Sequence, residues 1–189
     1  MHKLKIIVST TRPGRKGPAI ADWVAEAAKQ FPDYEAEILD LHKLALPLLD
    51  EPEHPAMRKY QHEHTHRWSR IIDSADAFII VTAEYNFGMP APLKNALDYL
   101  VHEWANKPVA FVSYGGQSAG LRSVQMTKQV VTALRMMPIP DAVAIAFFSK
   151  YFNDEEKFVA DESLNKAAQG MFKELLRWTV ALKPLRTKE

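Results

Sequence analysis

Short apolar runs along the chain alternate with longer stretches whose apolar positions recur at helical spacing. Residues 4–8 form a short apolar run and predict a buried strand. Residues 19–30 predict a helix, with Ile20, Trp23, Val24 and Ala27 on one face. Pro18 stands just ahead, where a first helical turn tolerates the missing N–H. A second strand is predicted at 34–39. Residues 40–56 hold three prolines and are too broken for a regular element. Residues 57–74 are polar but helical in period, with Trp68, Ile71 and Ile72 as the apolar face. Ala-Phe-Ile-Ile-Val-Thr at 77–82 is the clearest buried strand. A helix at 92–101, a strand at 109–114, a helix at 119–136, a fifth strand at 142–148 and a closing helix at 161–181 complete the series. The order βαβαβαβαβα predicts a doubly wound parallel sheet. Ligands of such sheets bind outside the carboxyl ends of the strands, which directs attention to the loops after Val8, Thr82 and Tyr114.

Composition narrows the picture. The 189 residues suit one compact domain, spanning 1–189, with no linker or repeat. With 24 basic and 23 acidic residues the net charge is +1, which leaves no electrostatic footprint for nucleic acid or an anionic membrane. There is no cysteine, so disulfides, thiolate metal sites and cysteine nucleophiles are excluded. No apolar run reaches the roughly 20 residues of a membrane span. The first residues run straight into a strand pattern without a leader-like apolar region. The expectation is a cytoplasmic protein.

The loop at 9–18, Ser-Thr-Thr-Arg-Pro-Gly-Arg-Lys-Gly-Pro, packs hydroxyls, glycines and three cations between a strand and a helix. A helix N-terminus offers free N–H groups and partial positive charge to a phosphate, and arginine grips two phosphate oxygens at once. Taken alone, the loop also reads as a solvated basic turn; its position favours phosphate. It matches neither the Walker A nor the Gly-x-Gly-x-x-Gly pattern. The loop at 83–92 carries Tyr85, Asn86, Phe87 and Gly88, which supply an apolar face and edge hydrogen bonds to a flat heteroaromatic ring, or else plug the core. The loop at 113–120 holds Gly115 and Gly116, where backbone can approach a ligand closely, or where a helix simply begins at Ser118. All three converge on one sheet edge. A phosphate site beside an aromatic-ring site describes FMN.

These segments resemble the NADPH-dependent FMN reductase family, the flavodoxin-like group that includes quinone, azo-dye and chromate reductases. Residues 9–15 resemble its Gly-Ser-x-Arg loop. Thr82-Ala-Glu-Tyr-Asn86 resembles its Thr-Pro-Glu-Tyr-Asn motif, with a fitting Pro-Leu-Lys-Asn-Ala-Leu-Asp at 92–98, and Ser113-Tyr-Gly-Gly116 resembles its third loop. The resemblance implies a flavodoxin-like three-layer sandwich, a five-stranded parallel sheet in the order 2-1-3-4-5 with helices on both faces. It implies that Thr10, Arg12 and Arg15 hold the FMN phosphate with backbone from Gly17, Pro18 and Ala19. Glu84, Tyr85, Asn86 and Phe87 then line one edge of the isoalloxazine, and Ser113, Gly115 and Gly116 close the other. Two departures stand out. Ser9 replaces the usual glycine, where a side chain crowds the turn. Ala83 replaces the usual proline, which leaves that loop less rigid.

The implied activity is FMN-dependent oxidoreduction: NADPH or NADH reduces the flavin, and electrons pass to free flavin, a quinone, an azo compound or a metal oxyanion in the same cleft. No side chain is assigned as a catalytic acid or base. Gly115 and Gly116 are the expected N–H donors to the N1–C2 edge of the ring. An FMN-binding electron carrier or redox sensor without nicotinamide activity is the alternative. The resemblance also implies a homodimer or homotetramer. The apolar content of 89–104 directs the dimer expectation to that helix and the one after Met57. His62-Glu63-His64-Thr65-His66 matches His-Glu-x-x-His, a zinc-protease spacing, but no third ligand is evident and no metal is assigned.

Overall fold

The computed structural model describes residues 1–186. Strands β1 (His2–Val8), β2 (Tyr34–Asp40), β3 (Ala77–Ala83) and β4 (Pro108–Tyr114) run parallel. Two short segments, β5 (Met137–Pro138) and β6 (Val143–Ile145), both pair with β4. The order is β2-β1-β3-β4-β5, with β6 off that path on β4. The expected order holds, but the fifth position is divided between β5 and β6. Pro138 and Pro140 lack the N–H that a continuous strand needs.

Helices α1 (Gly17–Ala28), α2 (Leu41–Leu44), α3 (Glu63–Asp73), α4 (Ala91–Asp98), α5 (Leu121–Ala133) and α6 (Glu162–Leu182) connect and close the sheet. Strand alternation divides the core in two. Leu4, Ile6, Val8, Ile79 and Val81 face α1 and α6, meeting Ile20, Val24, Met171, Phe172 and Leu175. Ile7, Phe78, Ile80 and Phe111 face α3, α4 and α5, meeting Trp68, Ile72, Leu93, Leu97, Val124 and Val131. Each such side chain contributes about 1.5–3 kcal/mol by leaving water. Both β3 and β4 are buried along their whole length, as central strands covered on two faces must be.

The helix expected at 57–74 begins only at Glu63. Ahead of it a 3-10 turn, Pro55–Met57, ends with Arg58 in left-handed backbone (φ 52°). The apolar content of 89–104 is absorbed within this chain: Leu93, Leu97, Tyr99, Leu100 and Trp104 are all buried. Tyr99 and Asn95 also fasten the 40–56 connection, which carries α2, through the Pro47 carbonyl. Among the described residues no helix is long and apolar enough to cross a membrane.

Candidate functional site

The loop between β1 and α1 is held from below. Thr10 is buried, with its Oγ1 3.4 Å from the Tyr114 hydroxyl. Gly17, the first residue of α1, permits this approach: a Cβ there would stand 2.8 Å from Thr10 Oγ1 and 3.0 Å from the Tyr114 hydroxyl. Burial pushes the Tyr114 phenol up to about 12, against the pull of Thr10 and the Gly17 N–H, so the hydroxyl stays protonated. Pro18, which has no N–H, and Ala19 complete the first turn, and the Ala19 N–H has no acceptor inside the helix.

The three cations of this loop divide. Arg15 donates from Nη1 and Nη2 to the two carboxylate oxygens of Asp40, at 2.9 and 2.8 Å, and from Nη1 to the Thr10 carbonyl at 3.1 Å. Lys16 donates to Glu156 at 2.7 Å. Arg12 is exposed, and among the described residues its guanidinium has no hydrogen bond or ion pair. Arg15 therefore braces the loop against the end of β2, and Arg12 is left to meet an anion.

The loop after β3 closes as a tight hairpin. Tyr85 and Gly88 exchange backbone hydrogen bonds at 3.0 and 2.9 Å, and Asn86 (φ 48°) and Phe87 (φ 69°) both occupy left-handed backbone. That is the geometry of a type I′ turn, which suits asparagine and strains phenylalanine. Phe87 is 70% exposed, with the Arg122 guanidinium 3.9 Å from its ring centre. Glu84 turns away from solvent to the start of α5. It accepts from the Ser118 hydroxyl (3.1 Å), the Arg122 N–H (3.1 Å) and Arg122 Nε (2.6 Å). Burial works to raise its pKa, but these donors prevail and hold it below the usual glutamate range. Glu84 thus clamps the second loop to the third.

In the third loop the Gly115 N–H donates to the Ile145 carbonyl at 3.2 Å. The Gly116 carbonyl accepts from Phe147 and Ala119, while its N–H has no partner among the described residues. Of the two expected donors to a ring edge, Gly116 is the one available. Gly120, at φ 78°, lets the chain turn into α5, since a Cβ there would lie 2.9 Å from the Tyr114 carbonyl.

The three loops enclose a cavity of about 240 Å³ whose lining includes Arg12, Tyr85, Tyr114, Gly116 and Phe148. Arg15, Glu84 and Gly115 also reach it. Thr10, Gly17 and Ser113 lie buried beneath it, and Asn86 and Phe87 form the hairpin tip outside it. Sequence reasoning assigned no role to Asp40, Tyr114 or Phe148. A carboxylate at the end of β2, the strand beside β1, was the available signal for Asp40. The cavity fits FMN in kind: the Arg12 guanidinium and the Gly116 N–H, both without a partner among the described residues, stand at its margin together with the aromatic faces of Tyr85, Tyr114 and Phe148.

The histidine segment serves another purpose. His62 precedes α3 as its N-cap residue, and its ring stacks on His64 at 5.2 Å. His64 Nε2 lies 2.9 Å from Asp50 Oδ1, which also accepts from the Tyr99 hydroxyl at 3.1 Å. His66 meets Tyr60 edge-on. Among the described residues no three histidines or carboxylates are arranged to hold a metal ion. The segment fastens the 40–56 connection to α3.

Strand order and loop placement define a flavodoxin-like α/β protein with its ligand loops at the carboxyl edge of the sheet. The fold is shared with the flavoenzyme NAD(P)H:(acceptor) oxidoreductase from Paracoccus denitrificans (TM-score 0.78, 19% identity, 96% of this chain and 98% of that one). Residues 2–150 match the NADPH-dependent FMN reductase family, to which the chain belongs. An NAD(P)H-dependent FMN reductase of Schizosaccharomyces pombe is 42% identical over 145 residues, covering 76% of this chain and 72% of the relative. An NADPH:quinone oxidoreductase of Arabidopsis thaliana is 34% identical over 113 residues, covering 57% of this chain and 58% of the relative.

Proposed function

We propose that the protein is an FMN-dependent oxidoreductase that carries electrons from NADPH or NADH to a small acceptor such as a quinone, azo compound, free flavin or metal oxyanion. The observation that carries this reading is the cavity among the three loops, with Arg12 and the Gly116 N–H both without a partner among the described residues at its margin. Family membership supports it. When bound, FMN supplies the redox chemistry by taking up a hydride from the nicotinamide and releasing electrons to the acceptor.

The chain's own residues bind and orient. Arg12 and the Ala19 N–H at the start of α1 would hold the phosphate, while Arg15, paired with Asp40, braces the loop. Tyr85 and Tyr114 would flank the ring, and the Gly116 N–H would supply a donor to its carbonyl edge. A backbone donor there favours negative charge on the ring, so no side chain need act as acid or base. Residues 1–189 act as one FMN-binding domain, with the cytoplasm as the proposed location.

The assembly is a homodimer or homotetramer in which a second copy walls each cleft. Support for this comes from apolar side chains left outside the core on the second loop and α5: Phe87, Leu121 and Met126 are 70%, 47% and 44% exposed. Light scattering tests the assembly. The visible spectrum of the purified protein, with chromatography of the released flavin, tests for FMN. Steady-state oxidation of NADPH and NADH with quinone, dye and free flavin tests the activity, and absence of turnover with every acceptor overturns it.

A further inference from the structure

Just beneath the three loops the interior of the sheet changes from aliphatic to hydroxyl. Ser9 follows β1, Thr82 lies on β3 and Ser123 on the first turn of α5, and all three are fully buried. The Ser9 N–H donates to the Val81 carbonyl at 3.1 Å, which continues the pairing of β1 with β3 and brings Ser9 level with Thr82. Thr82 Oγ1 is 3.2 Å from Ser9 Oγ, 3.2 Å from Ser123 Oγ and 3.0 Å from the Ala83 carbonyl oxygen. A hydroxyl has one proton and two lone pairs. The carbonyl can only accept, so Thr82 donates to Ala83 and accepts from both serines. Its capacity is then filled.

We propose that Thr82, with Ser9 and Ser123, is a positioning residue that sets the phosphate loop, the ring loop and the start of α5 in one fixed relation. In a dry interior an unmade hydrogen bond is costly, so a filled hydroxyl favours a single arrangement of the segments that meet on it. The two departures from the family pattern meet at this point. The hydroxyl that Ser9 adds is accepted by Thr82, and Thr82 in turn fixes the carbonyl of Ala83, where the usual proline would have stiffened the chain. Ser9 does not crowd the turn; its side chain points into the sheet interior and finds a partner there. Phosphate binding and ring binding thereby depend on each other, although none of the three hydroxyls lines the cavity.

The inference rests on FMN binding, so titration of the wild-type apoprotein with FMN comes first, and failure there sinks the proposed function instead. Thr82→Val removes the hydroxyl and keeps the shape; Thr82→Ser keeps the hydroxyl. Thr82→Val is expected to weaken both FMN and riboflavin about tenfold, the effect of one lost buried hydrogen bond. Thr82→Ser is expected to stay within about twofold of wild type, well inside the effect of one lost hydrogen bond. A merely structural role would lower Tm and leave both affinities and the visible circular dichroism of the bound flavin unchanged, and that result overturns the proposal. So does weakening of FMN alone, which would place the effect at the phosphate. If Thr82→Val does not fold, Ser9→Ala, Ser123→Ala and the double variant decide the matter. Among the described residues the two serines are linked by hydrogen bonds through Thr82, so non-additive losses of riboflavin affinity support the proposal and additive ones overturn it.

Discussion

The two ends of the sheet carry similar residues to opposite effect. At the amino end a concavity of about 590 Å³ is lined by Lys107, Lys183, Arg186, Asp73 and Asp76 among others. It is larger than the cavity among the three loops and at least as cationic. Two of these cations, however, are engaged by the chain itself. Buried Lys107 donates to the carbonyls of Ile72 and Asp73 at 2.7 and 2.9 Å, where α3 ends. Arg186 donates to the carbonyls of Ala75 and Asp76 and pairs with the Asp76 carboxylate at 3.1 Å. Helix C-termini with their partial negative charge converge on this end, so cations here complete the fold. At the carboxyl end helices begin, and Arg12 and the Gly116 N–H have no partner among the described residues. Neither volume nor charge marks the site. What marks it is that its unpartnered donors, Arg12 and the Gly116 N–H, stand together at the edge where helices begin.

That contrast can be broken by mutation. Arg12→Ala should weaken FMN by about 1.5–3 kcal/mol, the usual loss for a hydrogen bond to a charged group. Riboflavin affinity and Tm should not move, and equal weakening of both flavins would show that Arg12 does not touch the phosphate. Gly17→Val forces a side chain against Thr10 and Tyr114 and should cost about 1–3 kcal/mol of stability by overpacking. Thermal unfolding with a parallel FMN titration reads it, and the affinity should fall with the stability because the first turn of α1 is displaced.

At the amino end the signature reverses. Lys107→Met should cost about 1–3 kcal/mol by leaving buried carbonyls without a donor, while FMN affinity holds. Burial brings the Lys107 amine down to about 8 from the 10.5 of a free lysine. From about pH 8 to 10 the unfolded chain therefore keeps a proton that the folded chain has lost, and the contribution to stability rises with pH. Denaturant midpoints across that window should climb in the wild type and flatten in Lys107→Met. The smallest effect is the control: Gly170, inside α6, has open space within 4 Å of where a Cβ would stand, so Gly170→Ala should add about 0.5–1 kcal/mol without touching either end.

Most of the scaffold was legible in sequence because β3 and β4 are buried on both faces and so read as unbroken apolar runs. The edge at β5 and β6 was not. The run at 142–148 is apolar, but Pro138 and Pro140 limit pairing to a few residues on either side of a break. Residues 57–61 carry helical spacing yet stay outside α3, since Glu51 accepts from the N–H groups of Gln61 and His62 and holds them in a different path. The site loops were legible as motifs. The division of labour within them was not. Arg12 and Arg15 are the same residue type in the same loop, and only Asp40, brought beside Arg15 by the pairing of β1 with β2, distinguishes them. Ser9 likewise reads as a clash until Thr82, 73 residues later, is placed next to it.

The broken edge has a consequence for how copies of the chain coexist at high concentration. A parallel sheet ends in two rows of unpaired backbone that invite strand addition from a neighbour. Here one border is interrupted at Pro138 and Pro140, and the other, β2, exposes Glu35 and Glu37. Neither offers a smooth template for recruiting another chain. Open-ended association by strand addition is therefore blocked at both borders of the sheet.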